Sequence, residues 1–420
     1  MMYQAIIVGA GVIGCAVARA LAARRPSWKI LVLEKEPDVA RHTSGRNSGV
    51  IHSGFNAAPG TLKARFCVEG NRRLREYCRT RNVTMLEVGT VVVAVEPEDE
   101  LTLAELERRG RENGVPGITL IDHERLKTLE PHTAGRISAA GAPSADVSDA
   151  GRISRSAALF SPTGSIVDST GVVRAYASEA RDAGVEFSFF KKVRSVEPGG
   201  AGFWIQTDVD RHESVFFINC AGLYADQIAH QLGVAPDLRI FPFRGDYFRL
   251  VGDKSHLVRS MIYPAPNIKY PFLGIHFTKK VTGEVLVGPN AVLAFGRESY
   301  TPLDIQWTET VQMILTRHFW NMISGPDFRS LALDQLKTTL FKRAFLNGAR
   351  RLLPDLGPRD FVRAQSGNRA QLVNSRGELV EDLVLERSGR SIHVLNAVSP
   401  GLTCSLPFAD YVVDELLKNE

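Results

Sequence analysis

The chain opens on an uninterrupted apolar run of strand length, Tyr3–Val8. A glycine turn at Gly9–Gly14 follows, then small residues from Val12 to about Arg24 at helical spacing and a second apolar strand at Ile30–Glu34. Two short apolar runs flanking one helix predict a strand–helix–strand unit with parallel strands. Residues 37–61 are rich in Ser, Gly, Asn and His and predict a loop. Leu62 to about Arg79 reads as an amphipathic helix, Val88–Val95 as a strand, and Pro97–Asp99 opens a charged helix to about Asn113.

Residues 138–165 are dominated by Ser, Ala, Gly and Pro without a sustained apolar period, which predicts a long surface loop. Alternation then resumes with a helix over Gly171–Ala183, a strand pair within Val185–Val196, strands at Phe203–Thr207 and Val215–Asn219, and the small-residue turn Cys220–Gly222. Between residues 240 and 300 the runs FRGDYFRLV, MIYPAPNI, FLGIHFTKK and GEVLVGPN read as strands separated by turns. Such a run predicts an antiparallel sheet, and so a second architecture. Helices at about 309–324 and 332–352, strands at Leu383–Glu386 and Ile392–Leu395, a turn at Ala397–Thr403 and a last helix complete the pattern.

At 420 residues, 44% hydrophobic and 23% charged, the chain is long enough for two or three domains and is neither fibrous nor disordered. Its charge of +5 comes from 51 basic and 46 acidic residues with no basic block. That balance suits a small acidic substrate or a membrane surface; without a basic stripe interleaved with aromatics, nucleic acid is not expected. Five cysteines at wide spacings, with no C-x-x-C pair, point to a reducing compartment and offer no metal site. Ala5–Ala23 is apolar enough to pass for a leader or anchor, but it lacks a positive start and carries Arg19 and three glycines. With no transit peptide ahead of Tyr3, a cytoplasmic protein is expected, or a mitochondrial one in a eukaryote.

Strand, GAGVIG, helix, and then Glu34 at the end of the next strand form a dinucleotide fingerprint in its proper context. Gly9 permits the tight turn, Gly11 lets backbone approach a diphosphate, and Gly14 allows close helix packing. The diphosphate then lies on the helix N-terminus, and Glu34 accepts from ribose hydroxyls and repels a 2′-phosphate. FAD and NAD share this fingerprint. The segment His42-Thr-Ser-Gly-Arg-Asn-Ser-Gly-Val-Ile-His52-Ser-Gly54 favours FAD, because a polar, glycine-rich loop just past Glu34 can run beneath the diphosphate and reach a flavin ring. The fold class expected is therefore α/β, a Rossmann-like FAD-binding domain joined to an α+β domain with an antiparallel sheet.

HTSGRNSGVIHSG with PGTLKA, then FRGDYF, IYPAPN, PFLGIHFTKK, VGPNAVLAF and RESY, resemble in this order the L-2-hydroxyglutarate dehydrogenase family, within the DAO-like superfamily of FAD enzymes. NCAGLYAD at 219–226, RAQ at 369–371 and NAVSPGLTCSLP at 396–407 extend the resemblance over nearly the whole chain. It departs at the stretch near 138–158, which looks like a surface insertion, at Lys279 in place of Arg, and at Asn368 in place of an apolar residue. The resemblance implies oxidation of L-2-hydroxyglutarate to 2-oxoglutarate, by hydride transfer to flavin N5, with a non-NAD acceptor such as a quinone. A related oxidase of glycerol 3-phosphate, another 2-hydroxy acid or an amine is the alternative, and a flavoprotein that is non-catalytic or modifies nucleic acid is the alternative of another class.

Residues 1–85, 160–235 and 360–420 are then expected in the FAD domain, and 86–159 and 236–359 in the substrate domain. His52 is the candidate base, since imidazole titrates near neutrality and its loop resembles one that faces the flavin. His276 is the second candidate, as base or carboxylate partner. Arg244, Tyr263 and Arg369 are expected on substrate carboxylates. Cofactor contacts are implied at Thr43, Ser44, Asn47, Ser48, Val193, Ala221, Gly222, Gly401, Leu402 and Thr403, with FAD held non-covalently despite Cys404. The segment Asp334–Leu353 mixes Leu336, Leu340, Phe341 and Phe345 with basic residues, as in a helix lying on an anionic membrane.

Overall fold

The structure is a computed structural model and describes residues 2–134, 157–266, 274–397 and 399–418. Most of the insertion expected near 138–158 lies outside the described residues. The end of the loop expected there is not loop: Ala158–Ser161 and Ser165–Val167 are strands.

Met2–Val8 is the central strand of an eight-stranded sheet. It runs parallel to Ile30–Leu33 on one side and to Arg211–Asn219 on the other. Glu186–Ser188 and Ser391–Asn396 extend the parallel core, so the sheet draws on the start, the middle and the end of the chain. Both faces of the central strand are buried, which is why its sequence is an unbroken apolar run. Ala5 and Ile7 pack among the helices Val12–Arg24, Leu62–Thr80, Ser169–Asp182 and Gly401–Leu417, whereas Ile6 and Val8 pack with Phe203, Ile205 and Phe217.

A second eight-stranded sheet runs Phe361–Arg363, Phe248–Leu250, Val285–Gly288, His276–Lys279, Met261–Pro264, Thr90–Val93, Ala158–Ser161, Thr119–Ile121. Only the pair Met261–Pro264 and Thr90–Val93 is parallel. A three-stranded antiparallel sheet centred on Arg239–Gly245, with Gly367–Val373 beside it, adjoins the functional site. Phe361–Arg363 and Gly367–Val373, expected with the dinucleotide unit, therefore pair with strands of the other part of the chain.

Two helices expected as single elements are each divided. Thr316 caps a new start and separates Trp307–Ile314 from Arg317–Ser324. The second break, at Phe341, separates Pro326–Leu340 from Lys342–Arg350. The turn sends Phe345 into the core against Phe248, ring centroids 4.6 Å apart, while Leu336, Leu340 and Phe341 stay exposed. The amphipathic face expected over 334–353 is thus divided between core and surface.

Candidate active site

A cavity of about 920 Å³ runs from the Gly9–Gly14 turn to the strands carrying Tyr263, His276 and Arg369. Its size is that of a cleft for an extended ligand, ~300–1,000 Å³. Gly9 adopts φ +102, and a Cβ there would stand 2.5 Å from the Cys220 carbonyl oxygen. A Cβ on Gly14 would stand 1.9 Å from the Gly9 carbonyl oxygen, so Gly14 serves the close fit of helix on turn and does not itself line the cavity. Gly9 and Gly11 do line it, as do Val193, Ala221 and Gly222. The Glu34 carboxylate accepts from Ala10 N at 2.7 Å and from Glu36 N at 3.0 Å, which fixes it beside the turn.

The loop after Glu34 is held by its own polar side chains. Ser44 Oγ accepts from Val12 N at 2.9 Å, Asn47 Nδ2 donates to the Thr43 and Ser44 carbonyls, and Thr43 Oγ1 donates to the Asn368 carbonyl at 2.8 Å. Thr43, Ser44, Asn47 and Ser48 all border the cavity. Lys35 bridges Glu36 and Glu298 at 2.6 Å each, and His42 joins Glu36 to the Tyr300 hydroxyl. The grouping of Glu36, His42 and Glu298 resembles a ligand set, but the Lys35 ammonium already occupies its centre.

At the inner end stand His52, His276, Tyr263 and Arg369. His52 is fixed by its backbone: its N–H donates to Thr403 Oγ1 at 2.9 Å, and its carbonyl accepts from Asn71 at 3.1 Å. Burial, and then the charges of His276, Lys63 and Arg369, push its imidazole down to about 3. His276 Nδ1 lies 2.8 Å from the Gly274 carbonyl, which can only accept, so Nδ1 carries the hydrogen and Nε2 keeps a lone pair. Burial is also the main cause that takes His276 down to about 4. The His276 ring stacks on Tyr263 with centroids 4.2 Å apart. The helix Gly401–Leu417 begins at the cavity, where Gly401 and Leu402 line the wall; Thr403 is fully buried behind them and reaches the site through the His52 N–H and the Val50 carbonyl.

Among comparisons with known proteins, the family described as FAD dependent oxidoreductase (DAO) matches residues 4–415. The chain belongs to this family. Human mitochondrial L-2-hydroxyglutarate dehydrogenase is 37% identical over 99% of this chain and 88% of its own length. L-2-hydroxyglutarate dehydrogenase of Indibacter alkaliphilus is 35% identical over the full length of both chains. In structure, the FAD-bound L-α-glycerophosphate oxidase of Mycoplasma pneumoniae superposes with TM-score 0.76 at 21% identity, covering 99% of this chain and 95% of the oxidase. Glycine oxidase of Geobacillus kaustophilus gives 0.72 at 16% identity, covering 100% and 95%. These last two share the DAO fold.

The residues present fit the family's cofactor. A Cβ on Gly11 would lie 3.0 Å from Ser44 Oγ in the narrow space where backbone must approach a diphosphate, and a carboxylate suited to ribose hydroxyls stands next to it. FAD is the cofactor of this DAO enzyme. Cys404 is fully buried and does not line the cavity.

Arg244 is the expectation that the geometry corrects. Side chains alternate along a strand, and Phe243, Gly245 and Tyr247 face the cavity. Arg244 therefore faces the other way, with Nε on Asp246 Oδ1 at 2.8 Å and NH1 on the Thr301 carbonyl at 2.9 Å. Arg369 pairs across the sheet with Phe243 and so shares the cavity face. Of the two substitutions expected to depart from the family pattern, Lys279 does not line the cavity, whereas Asn368 does. Lys279 Nζ donates to the Val258 carbonyl, and the Asn368 side chain donates to the carbonyls of Arg297 and Ser299. Tyr247 and Lys63 reach the site without having been expected there, although the quoted motifs GDY and PGTLKA contain them.

Proposed function

We propose that this protein oxidises L-2-hydroxyglutarate to 2-oxoglutarate with FAD as the immediate oxidant. The observation that carries the reading is the pairing, at the inner end of the cavity, of two neutral imidazoles with the Arg369 guanidinium. Relatives that bear that activity in their names match along the entire chain. Gly9, Gly11 and the start of helix Val12–Arg24 would hold the FAD diphosphate, Glu34 the ribose, and Thr43–Ser48 with Gly401 and Leu402 the flavin end. When bound there, FAD supplies a two-electron acceptor for the hydrogen on C2.

The chain's own groups do the rest. Arg369 binds the C1 carboxylate, bidentately where the fork allows, and so orients C2. His52 takes the hydroxyl proton: it is neutral at pH 7 and has a lone pair to offer. Its depression comes partly from Lys63 and Arg369, so an anionic substrate that neutralises them raises its affinity for the proton at the moment of transfer. His276, its tautomer fixed by Gly274, presents Nε2 as a second acceptor, and its stacking on Tyr263 keeps the ring in place. Arg244 acts as a positioning residue through Asp246.

Electrons leave to an acceptor other than NAD, and we assign the helical segment 307–341 as the membrane-facing surface through which a quinone is reached. Trp307, Val311 and Leu315 recur at one-turn spacing and are exposed; so are Trp320, Leu333, Leu336, Leu340 and Phe341. Exposed Arg329 and Arg343 supply the charge that suits an anionic bilayer. No helix among the described residues is long and apolar enough to cross a membrane, so contact would be peripheral.

The test is an anaerobic titration of the purified yellow holoenzyme with L-2-hydroxyglutarate, the D-enantiomer and glycerol 3-phosphate. Bleaching of the flavin bands by the L-acid alone is the expected result. Bleaching by glycerol 3-phosphate and not by the L-acid would overturn the substrate assignment.

A further inference from the structure

A smaller recess of about 80 Å³ lies beside the inner end of the cavity, bordered by His52, Tyr263 and Arg369 and also by Lys63 and Cys67. It has room for several water-sized groups, enough for a carboxymethyl arm. Lys63 stands in the first turn of the helix Leu62–Thr80. The backbone donors of that turn are already used, since Leu62 N and Lys63 N donate to the Asp382 carboxylate at 3.2 and 2.8 Å. Only the ammonium is left to offer.

Among the described residues that ammonium makes no hydrogen bond or ion pair, and the Glu381 carboxylate attracts it without bonding to it. Burial, with the Arg369 guanidinium next in weight, pulls Lys63 below its usual range. Two cations that border one recess and both depress His52, Arg369 depressing Lys63 as well, form a site whose electrostatics suit a ligand with two negative charges. A monocarboxylate neutralises one of them and leaves the other.

We propose that Lys63 is the specificity-determining residue of the site, binding the distal carboxylate of a 2-hydroxy dicarboxylate while Arg369 binds the carboxylate next to the reacting carbon. The assignment rests on the L-2-hydroxyglutarate reading above. It gives each carboxylate its own cation, one beside the reacting carbon and one in the recess, and makes chain length the property that Lys63 measures. It also explains why Lys63 belongs to a helix that is tied at its start to Asp382: the ammonium must be held at a fixed distance from Arg369.

The experiment uses the FAD-loaded enzyme and its Lys63→Met, Lys63→Gln and Lys63→Arg variants, each accepted on unchanged flavin content. Flavin reduction is followed with L-2-hydroxyglutarate and with L-2-hydroxybutyrate, and flavin band shifts with glutarate and butyrate as unreactive probes. In Lys63→Met and Lys63→Gln, KM for L-2-hydroxyglutarate should rise roughly ten- to a hundredfold, the usual weight of a charged hydrogen bond, with kcat/KM for L-2-hydroxybutyrate nearly unchanged. Lys63→Arg should recover part of the loss. Equal losses for both acids, or no loss for either, would overturn the proposal. A wild type that L-2-hydroxyglutarate cannot reduce removes the substrate reading alone, because preference for glutarate over butyrate still reports on Lys63. A wild type that binds those two probes equally removes the role of Lys63.

Discussion

His52 illustrates how far surroundings set the chemistry of one side chain. An exposed imidazole is half protonated near pH 6.5, but here burial and neighbouring positive charge hold it near 3 and His276 near 4. As the proposed base, His52 is therefore in its working form throughout the mildly acidic range. We expect kcat/KM for the L-acid to stay flat from pH 8 down to about 5; an acid limb near 6.5 in a pH–rate series would contradict the assignment. The same shifts bear on stability with the opposite benefit. His276 and the core residue His393, also lowered by burial to about 4, bind protons readily only when unfolded. Below 6.5 the unfolded chain takes up protons that the native one refuses, so stability is full above that pH and falls toward pH 4, by about 1.4 kcal/mol per pH unit for each group. A melting temperature that does not fall between pH 7 and 5 would show that these histidines titrate normally.

The glycines of the turn divide labour at the same scale. Gly14→Ala drives a methyl into the backbone of Gly9, a clash that only movement of the helix relieves, whereas Gly11→Ala meets the hydroxyl of Ser44 at 3.0 Å. The first variant is expected to lose stability by roughly 1–3 kcal/mol as well as cofactor; the second should fold and lose FAD alone. Thermal melts with and without added FAD distinguish them.

Between elements, the helix Gly401–Leu417 is linked to the loop of His52 through the Thr403 hydroxyl, which accepts from His52 N at 2.9 Å and donates to the Val50 carbonyl at 3.5 Å, and close packing lies behind it. A Cβ on Gly70 would stand 2.1 Å from the Thr403 carbonyl, so the helices Leu62–Thr80 and Gly401–Leu417 touch at backbone distance. Thr403→Val keeps the shape and removes the acceptor. The buried N–H of His52 is then left without a partner, which costs about 1–3 kcal/mol. We expect a lowered melting temperature and a reduced kcat with little change in KM; a raised KM with unchanged kcat would mean that Thr403 serves binding instead. The first strand–helix–strand unit and the glycine fingerprint could be read from the chain because local pattern and local contacts agree there. Arg244 could not, since its partner Asp246 decides its direction only once strand register is known. Gly367–Val373 gave no apolar alternation to follow: Gly367, Asn368 and Arg369 serve the site and the backbone, and their strand character comes from the partner strand. Lys63 was hidden for a related reason, being one basic residue among many on an amphipathic helix until the fold gave it an enclosed recess.

For the whole molecule, the two sheets place the ends of one cavity on separate parts of the chain, and the helices between residues 307 and 341 add an exposed surface that neither sheet uses. If that surface meets a bilayer, replacing Trp307, Trp320 and Leu333 by Ser should leave reduction of the flavin by substrate unchanged and release the enzyme from phosphatidylglycerol vesicles in a sedimentation assay. Retention of the triple variant on the vesicles would exclude the assignment.

The central sheet carries a further consequence, for synthesis. Met2–Val8 is synthesised before its neighbour Arg211–Asn219, about two hundred residues further along, and that strand's partner Ser391–Asn396 follows about 170 residues later still. Such pairings delay folding until distant chain is available. The nascent dinucleotide turn therefore waits for Arg211–Asn219 and Ser391–Asn396 before its sheet is complete, and the helix Gly401–Leu417, which carries Thr403, closes the site after them. Stable cofactor capture is accordingly expected only once residues 391–417 have been made, and the interval before it is when a chaperone would be needed.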